Sequence, residues 1–360
     1  IIKWGIIYVQ GKQARFSLIK ELCHFMVELF YFIGVNMNSK PFKTIDEQIN
    51  ILESRGMIVD HDKAKNSLMR NGYYNVINGY KDFFLEDDNK FIPGTRFYDL
   101  DTLFQVDKLL SKAFFSSSLD IERMFKTNLA YFLSEKFGEK EEEYLNTKNY
   151  ITGRNIEKNV WQIDKTIDIF KNLISENIEP ITHYRKKYNN VPPWILFTRA
   201  TFGNVYYLYK LCKGDIKTKV ISSMLKVSPD CIDNLSKQVF SDIILLILQF
   251  RNRTAHANRT YNFEIKASNS FLPYSEAFYM PFNIDKAAHK NNICRTNAFA
   301  FIASIYYLDK NNYLLLREQV VQILNFYKSV QAQNYKQFLL ALGIPNDFID
   351  IKIEKILPSI

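Results

Sequence analysis

The chain has 360 residues, of which 47% are hydrophobic and 15% aromatic, and this excludes a largely disordered or low-complexity protein. Twelve Gly and ten Pro are few for such a length, so long helices are expected rather than a many-turned β fold in one to three domains. A formal net charge of +9 fits a nucleic-acid partner, because Lys and Arg release counterions from phosphates, and fits equally a basic protein that binds none.

Residues 1–36 read as an extension of unclear role, because Met37 opens the first well-punctuated segment. The most apolar part, Leu22 to Val35, is short for a bilayer and carries His24 and Glu28, so no membrane partner is expected. Residues 37–98 form an N-terminal helical region. Thr44 to Glu47 is a capping box, Ile45, Ile49 and Leu52 make one stripe, and Gly56 is a stop. Asp62 is the expected cap of a second short helix that ends at Asn71-Gly72. The stretch Arg70 to Tyr80 is rich in aromatics. Tyr73, Tyr74 and Tyr80 either stack on bases beside Arg70 or pack into the core through their rings.

Residues 99–330 carry the main helical domain. Asp99 to Phe115 and Asp120 to Phe137 read as two long helices. The second turns Ile121, Met124, Phe125, Leu129, Phe132 and Leu133 inward and leaves Glu122, Arg123 and Lys126 on other faces. Gly138 ends it before the charge run Glu139 to Glu143. A further helix is expected around Trp161 to Ile174. His183 to Tyr188 is the densest basic-aromatic cluster. Its Arg185, Lys186 and Lys187 either contact a phosphate backbone or sit in a solvated loop before Pro192-Pro193. Trp194 to Cys212 reads as an amphipathic helix interrupted at Phe202-Gly203-Asn204. Residues 257–292 lack periodicity, Asn297 to Tyr307 and Tyr313 to Tyr327 read as two closing helices, and residues 331–360 are a tail or helix. With no repeat and almost no convincing strand, the expected fold is all-α: a helical bundle with a smaller helical N-terminal layer.

The stretch Ser228 to His256 organises the rest. Ser228 is a helix N-cap, Pro229 suits the first helical position, and Ile232, Leu235, Val239, Ile243, Leu246 and Phe250 recur at helical spacing. The polar run Arg251-Asn252-Arg253-Thr254-Ala255-His256 follows directly, either as a presented site or as a helix surfacing into solvent. An RNA chain carries its own nucleophile, the 2′-hydroxyl. A metal-free ribonuclease then needs a proton carrier, which histidine supplies near neutrality, and a cation for the phosphate, which the planar arginine fork supplies. Asn252 lies one helical turn before His256 on the same face, whereas Arg251 is offset by about 140°. One copy of the motif is therefore incomplete by itself, and a homodimer bringing two copies together would complete it. Arg55 and His61 repeat the spacing but straddle Gly56 and are discounted.

Five segments in this order resemble the Abi-D/Abi-F group of bacterial abortive-infection proteins, within the HEPN ribonuclease superfamily. They are Lys40-Pro41-Phe42, the Arg70 to Tyr80 stretch, Ile121-Glu122-Arg123, Pro193-Trp194 through Phe202-Gly203, and Arg251-Asn252-x-x-x-His256. The resemblance spans about Lys40 to Leu324. It implies a HEPN-type bundle, metal-independent RNA cleavage, anti-phage defence, and Arg251, Asn252 and His256 as active-site positions. It also implies a guide-like or antitoxin RNA partner, by similarity to RNA-guided HEPN effectors. Members of the group often carry Glu four residues after the Trp, where this chain has Thr198. Arg123, Arg253 and Arg259 join Arg70, Tyr73, Tyr74, Arg185, Lys186 and Lys187 as expected RNA contacts. The alternatives are a catalytically silent RNA-binding protein and a sensor of phage protein. Cys23, Cys212, Cys231 and Cys294 show no metal spacing and read as reduced thiols in a cytoplasmic protein without metal or other cofactor.

Overall fold

The computed structural model describes residues 41–349 except residue 88; the extension 1–36, Leu22 to Val35, Cys23, Lys40 and residues 350–360 lie outside the described residues. The protein is a helical bundle. The longer helices are α1 (Ile45–Ser54), α2 (His61–Asn71), α3 (Phe97–Phe137), α4 (Gln162–Ser175), α5 (Ile181–Tyr188), α6 (Pro193–Arg199), α7 (Phe202–Leu211), α8 (Gly214–Leu225), α9 (Asn234–Ala255), α10 (Ala298–Leu308), α11 (Lys310–Val330) and α12 (Tyr335–Leu342). Two short antiparallel strands, β1 (Asn155–Glu157) and β2 (Val160–Trp161), form a hairpin ahead of α4, the one sheet among the described residues. One contiguous apolar core runs from Ile49 to Phe348. Among the described residues no helix is long and apolar enough to cross a membrane.

The spine is α3, a single helix of 41 residues and about 60 Å where two helices were expected. The serine run Ser116-Ser117-Ser118 does not break it. Ser118 Oγ donates to the Phe115 carbonyl at 2.7 Å, and Asn312 Nδ2 of α11 donates to the Ser117 carbonyl at 2.9 Å, so part of the run is bonded without leaving the helix. Helices α6, α8, α9 and α11 all pack along this spine.

Other boundaries differ from expectation for similar local reasons. Thr44 and Glu47 form the expected capping box, but Asp60 rather than Asp62 caps α2, accepting from the Lys63 N–H at 3.3 Å. The break in the Trp194 to Cys212 segment falls at Ala200-Thr201, because Thr201 Oγ1 caps α7 through the Asn204 N–H at 3.1 Å. His183 to Tyr188 lies in α5 rather than a loop. Helix α8, which the sequence reading leaves unassigned, buries Ile216, Val220, Ile221 and Met224.

Helix α9 begins later and ends later than Ser228 to Phe250. Ser228 and Pro229 start only a 3-10 turn, Pro229–Cys231, and Asp233 then caps α9 by accepting from the Ser236 N–H at 2.7 Å. Ile232 precedes the helix and Leu235 is 42% exposed, so the buried stripe starts at Val239. From there Phe240, Ile243, Ile244, Leu246, Ile247 and Phe250 are buried, and the helix continues to Ala255.

Candidate active site

The end of α9 is fixed by aromatic packing one residue before the motif. Phe250 lies 6.0 Å from Phe114 of α3, 5.1 Å from Phe301 of α10 and 5.0 Å from Phe263, measured between ring centroids. Such contacts add to area burial and hold the helix from three sides, so the next residues leave the core in a defined direction.

Arg251 emerges toward α3. Its Nε donates to Glu122 Oε2 at 2.9 Å, and its guanidinium lies 5.9 Å from the Phe115 ring centroid. Glu122 is buried, its side chain 10% exposed, and its other oxygen pairs with Lys126 Nζ at 2.6 Å one turn along α3. Lys126 in turn donates to the Ala200 carbonyl at 2.7 Å. Ala200 closes α6, so the ammonium caps a carbonyl that the helix leaves without a partner. One carboxylate thus serves two cations, and a net positive charge faces out. Among the described residues the Nη1 group reaches only Asn252 Oδ1, at a long 3.4 Å, which leaves the outer edge of the Arg251 fork for an acceptor from solution.

Asn252 and His256 are exposed. His256 is the residue that closes α9; its N–H donates to the Asn252 carbonyl at 3.3 Å, and Ala257 turns the chain away with φ of 52°. Among the described residues the imidazole makes no hydrogen bond or ion pair. It therefore stands at a helix C-terminus, open to a partner.

The chain after His256 is clamped back onto α3. Asp107, buried, accepts from the Thr260 N–H at 2.9 Å and from the Tyr80 hydroxyl at 2.6 Å. Thr260 Oγ1 also bonds Ser111 Oγ at 2.6 Å. Burial pushes the Asp107 carboxyl up to about 6, against the lowering effect of the hydrogen bonds from Tyr80 and Thr260. Arg253 Nε donates to the Arg259 carbonyl at 2.6 Å, and Arg259 Nη1 donates to the Gly79 carbonyl. Burial, then the neighbouring Arg259, pulls the Arg253 guanidinium below its usual range.

The sequence-predicted positions fall into four places. Arg251, Asn252, Arg253, His256 and Arg259 gather around the end of α9, and exposed Tyr74 and half-buried Tyr73 belong to the segment that Arg259 reaches. Arg123 projects into solvent and pairs with Asp120 at 2.6 Å; together with Glu122, Lys126, Trp194 and Thr198 it borders a cavity of about 360 Å³. Arg70 is exposed at the end of α2. Lys186 and Lys187 are exposed on α5, while Arg185 is engaged by the Ile174 and Glu176 carbonyls and by Asn177 Oδ1 at 2.9 Å, joining α5 to the end of α4. Tyr80 packs: it is buried and stacks on Tyr261 at 5.6 Å. The discounted pair separates as expected, with Arg55 closing α1 and His61 bonded to Glu53 at 2.8 Å.

Glu122 departs from the reading that set it on an outward face. The signal for it was the i, i+4 spacing of Glu122 and Lys126, which marks an ion pair without saying that the pair is buried. Asp107 was missed because its partners come from distant parts of the chain. Cys212 and Cys294 are buried thiols, and burial raises the Cys212 thiol to about 12. Among the described residues no group of three or more His, Cys, Asp or Glu side chains is arranged to hold a metal ion.

A family model described as Abi-like protein matches residues 66–262, from α2 through the end of α9 and its clamp. No curated protein and no solved structure matches the chain.

Proposed function

The chain belongs to the Abi-like protein family, and from that premise we propose that it is an abortive-infection protein of the HEPN type acting as a metal-independent endoribonuclease. The observation that carries the reading is the pairing, at one helix end, of an exposed His256 with an Arg251 whose fork is oriented by buried Glu122. In this reading the His256 imidazole accepts the 2′-hydroxyl proton. The 2′-oxygen then attacks phosphorus, the P–O5′ bond breaks, and the 5′-oxygen takes a proton from an imidazolium. The products carry a 2′,3′-cyclic phosphate and a 5′-hydroxyl. The free edge of Arg251 holds the non-bridging phosphate oxygens, whose charge grows as the fifth bond forms. Asn252 orients the phosphate or the imidazole. Two chains meet at their α9 ends so that Arg251 of one faces His256 of the other.

A second reading draws on the same ion pair. The Arg251–Glu122 pair already compensates part of the arginine charge, which favours a protein that binds RNA, including a non-coding partner RNA, without cutting it. Incubating the purified protein with RNA in EDTA, beside its His256→Ala variant, separates the two. Cleavage lost with His256 supports the nuclease; salt-dependent binding without cleavage in either protein overturns it.

A further inference from the structure

Between the turn at Tyr74–Asn78 and the chain after His256 lies a pocket of about 200 Å³ that the catalytic reading does not use. Its floor and walls combine three kinds of group. The first is the pair of guanidiniums of Arg253 and Arg259, each aimed by a hydrogen bond to a backbone carbonyl and each set over an aromatic ring, Phe263 at 4.6 Å and Tyr261 at 5.9 Å. Neither forms an ion pair among the described residues. The buried acid that acts on both, Asp107, accepts hydrogen bonds from Tyr80 and Thr260 rather than from either arginine. Arg253 and Arg259 repel each other, Asp107 offsets part of their charge without pairing directly with either, and an anion in the pocket relieves the rest. The second kind is Tyr74, 77% exposed at the rim, a large apolar face kept in water. The third is the pair of amides on Asn78 and Asn258, which make no side-chain hydrogen bond among the described residues and so keep both donor and acceptor edges.

We propose that this pocket is a nucleotide subsite for the residue flanking the scissile phosphate: Arg253 and Arg259 hold its phosphate, Tyr74 stacks on its base, and Asn78 and Asn258 read the base edge. The proposal rests on reading the end of α9 as an RNA site. Position on the helix supports it: Arg253 is one turn before His256 on the same face, and Asn258 follows His256 by two residues. The π turn Tyr74–Asn78 builds the opposite wall, and the four-residue spacing sets Tyr74 and Asn78 at the pocket together.

The test uses the full chain and the four nucleoside 5′-monophosphates, with inorganic phosphate as reference, followed by calorimetry or amide chemical shifts. At least one nucleotide should bind about tenfold or more tightly than phosphate. Arg259→Gln should weaken both ligands. Tyr74→Ala should reduce nucleotide affinity to the phosphate level and leave phosphate binding unchanged, a split that misfolding would not produce. Asn78→Ala should flatten the preference among the four bases. Equal affinity of nucleotide and phosphate, or nucleotide binding that survives both Arg259→Gln and Tyr74→Ala, overturns the subsite. Because the readout is binding, a protein that binds nucleotide as described yet cuts no RNA would refute the nuclease reading and leave the subsite standing.

Discussion

Arg251 on α9 and Glu122 on α3, 129 positions apart in sequence, meet at 2.9 Å across the interface of the two longest buried elements of the motif region. The carboxylate is the more buried partner, so it acts as a fixed post that aims the arginine. Replacing it should separate position from charge. Glu122→Gln keeps the volume and one acceptor oxygen but loses the anion, and cleavage should fall by roughly ten- to a hundredfold with the fold retained. Glu122→Ala should also destabilise the protein by about 3–5 kcal/mol, since it strands the partly buried Lys126 and Arg251 charges. Cleavage rates beside urea unfolding curves check both, and unchanged cleavage by Glu122→Gln would show that Arg251 needs no post.

Thr198, four residues after Trp194, borders the same cavity as Glu122 and Lys126. Its hydroxyl bonds only the Ile195 carbonyl within its own helix, at 2.7 Å. Thr198→Ala should therefore change stability by less than about 0.5 kcal/mol, the ordinary range for a surface site, and leave cleavage within a few-fold of wild type. A large loss of activity would mean that Thr198, and not Glu122 alone, supports the arginine.

Asp107 gives a pH signature. The native carboxyl is held at about 6, above the ordinary 3.8, so between those values the native state keeps a proton that the unfolded chain has released. The native state then binds more protons, and stability falls as pH rises through that window, by about 3 kcal/mol from this group once it is fully ionised. Denaturant titrations from pH 4 to 7.5 should show the wild type losing stability relative to Asp107→Asn across that range. Parallel curves for the two proteins would exclude the assignment.

The sequence made the helical class, the core stripe of α9 and the polar run at its end readable, because each follows from local periodicity and capping. Continuity of α3 was not readable, since three serines in a row resemble a break until Asn312, nearly two hundred residues later, supplies a donor. The start of α9 was misplaced for a related reason: Ser228-Pro229 and Asp233 both satisfy capping chemistry, and only the burial of Val239 onward selects the second. Within the candidate site, the polar run Arg251 to His256 at the end of α9 could be named from the order of its residues. The post Glu122, the clamp Asp107 and the joining of Tyr74 to Arg259 depend on tertiary contacts that no window of sequence contains.

The offset of Arg251 from His256, about 140° on an ideal helix, gives a prediction about assembly. Arg251 turns to α3, while His256 faces away at the helix end. If the arginine of one chain serves the histidine of the other, Arg251→Ala and His256→Ala chains, each inactive, should regain about a quarter of wild-type activity when unfolded and refolded together. Random pairing makes half the dimers mixed, and each mixed dimer holds one intact site of two. No recovery, or a monomer by light scattering that still cuts RNA, would place the whole site within one chain.

Catalysis itself is tested at the end of α9. His256→Ala should abolish RNA cleavage while leaving circular dichroism unchanged, because the imidazole is exposed and contributes no contact to the core. Arg251→Ala should do the same, and Arg251→Lys should restore little, because a lysine cannot reach Glu122 through one edge and a phosphate through the other. Asn252→Ala should be milder, since its side chain meets Arg251 only at 3.4 Å and its carbonyl bond to His256 is unaffected by the substitution. Wild-type cleavage should persist in EDTA and leave 2′,3′-cyclic phosphate ends, and a 2′-deoxy sugar at the scissile position should block it, because the nucleophile is then missing from the substrate. Cleavage of the deoxy-substituted strand at the same bond would mean that water is the nucleophile, and His256 would then have to be reassigned from base for the 2′-hydroxyl to base for water.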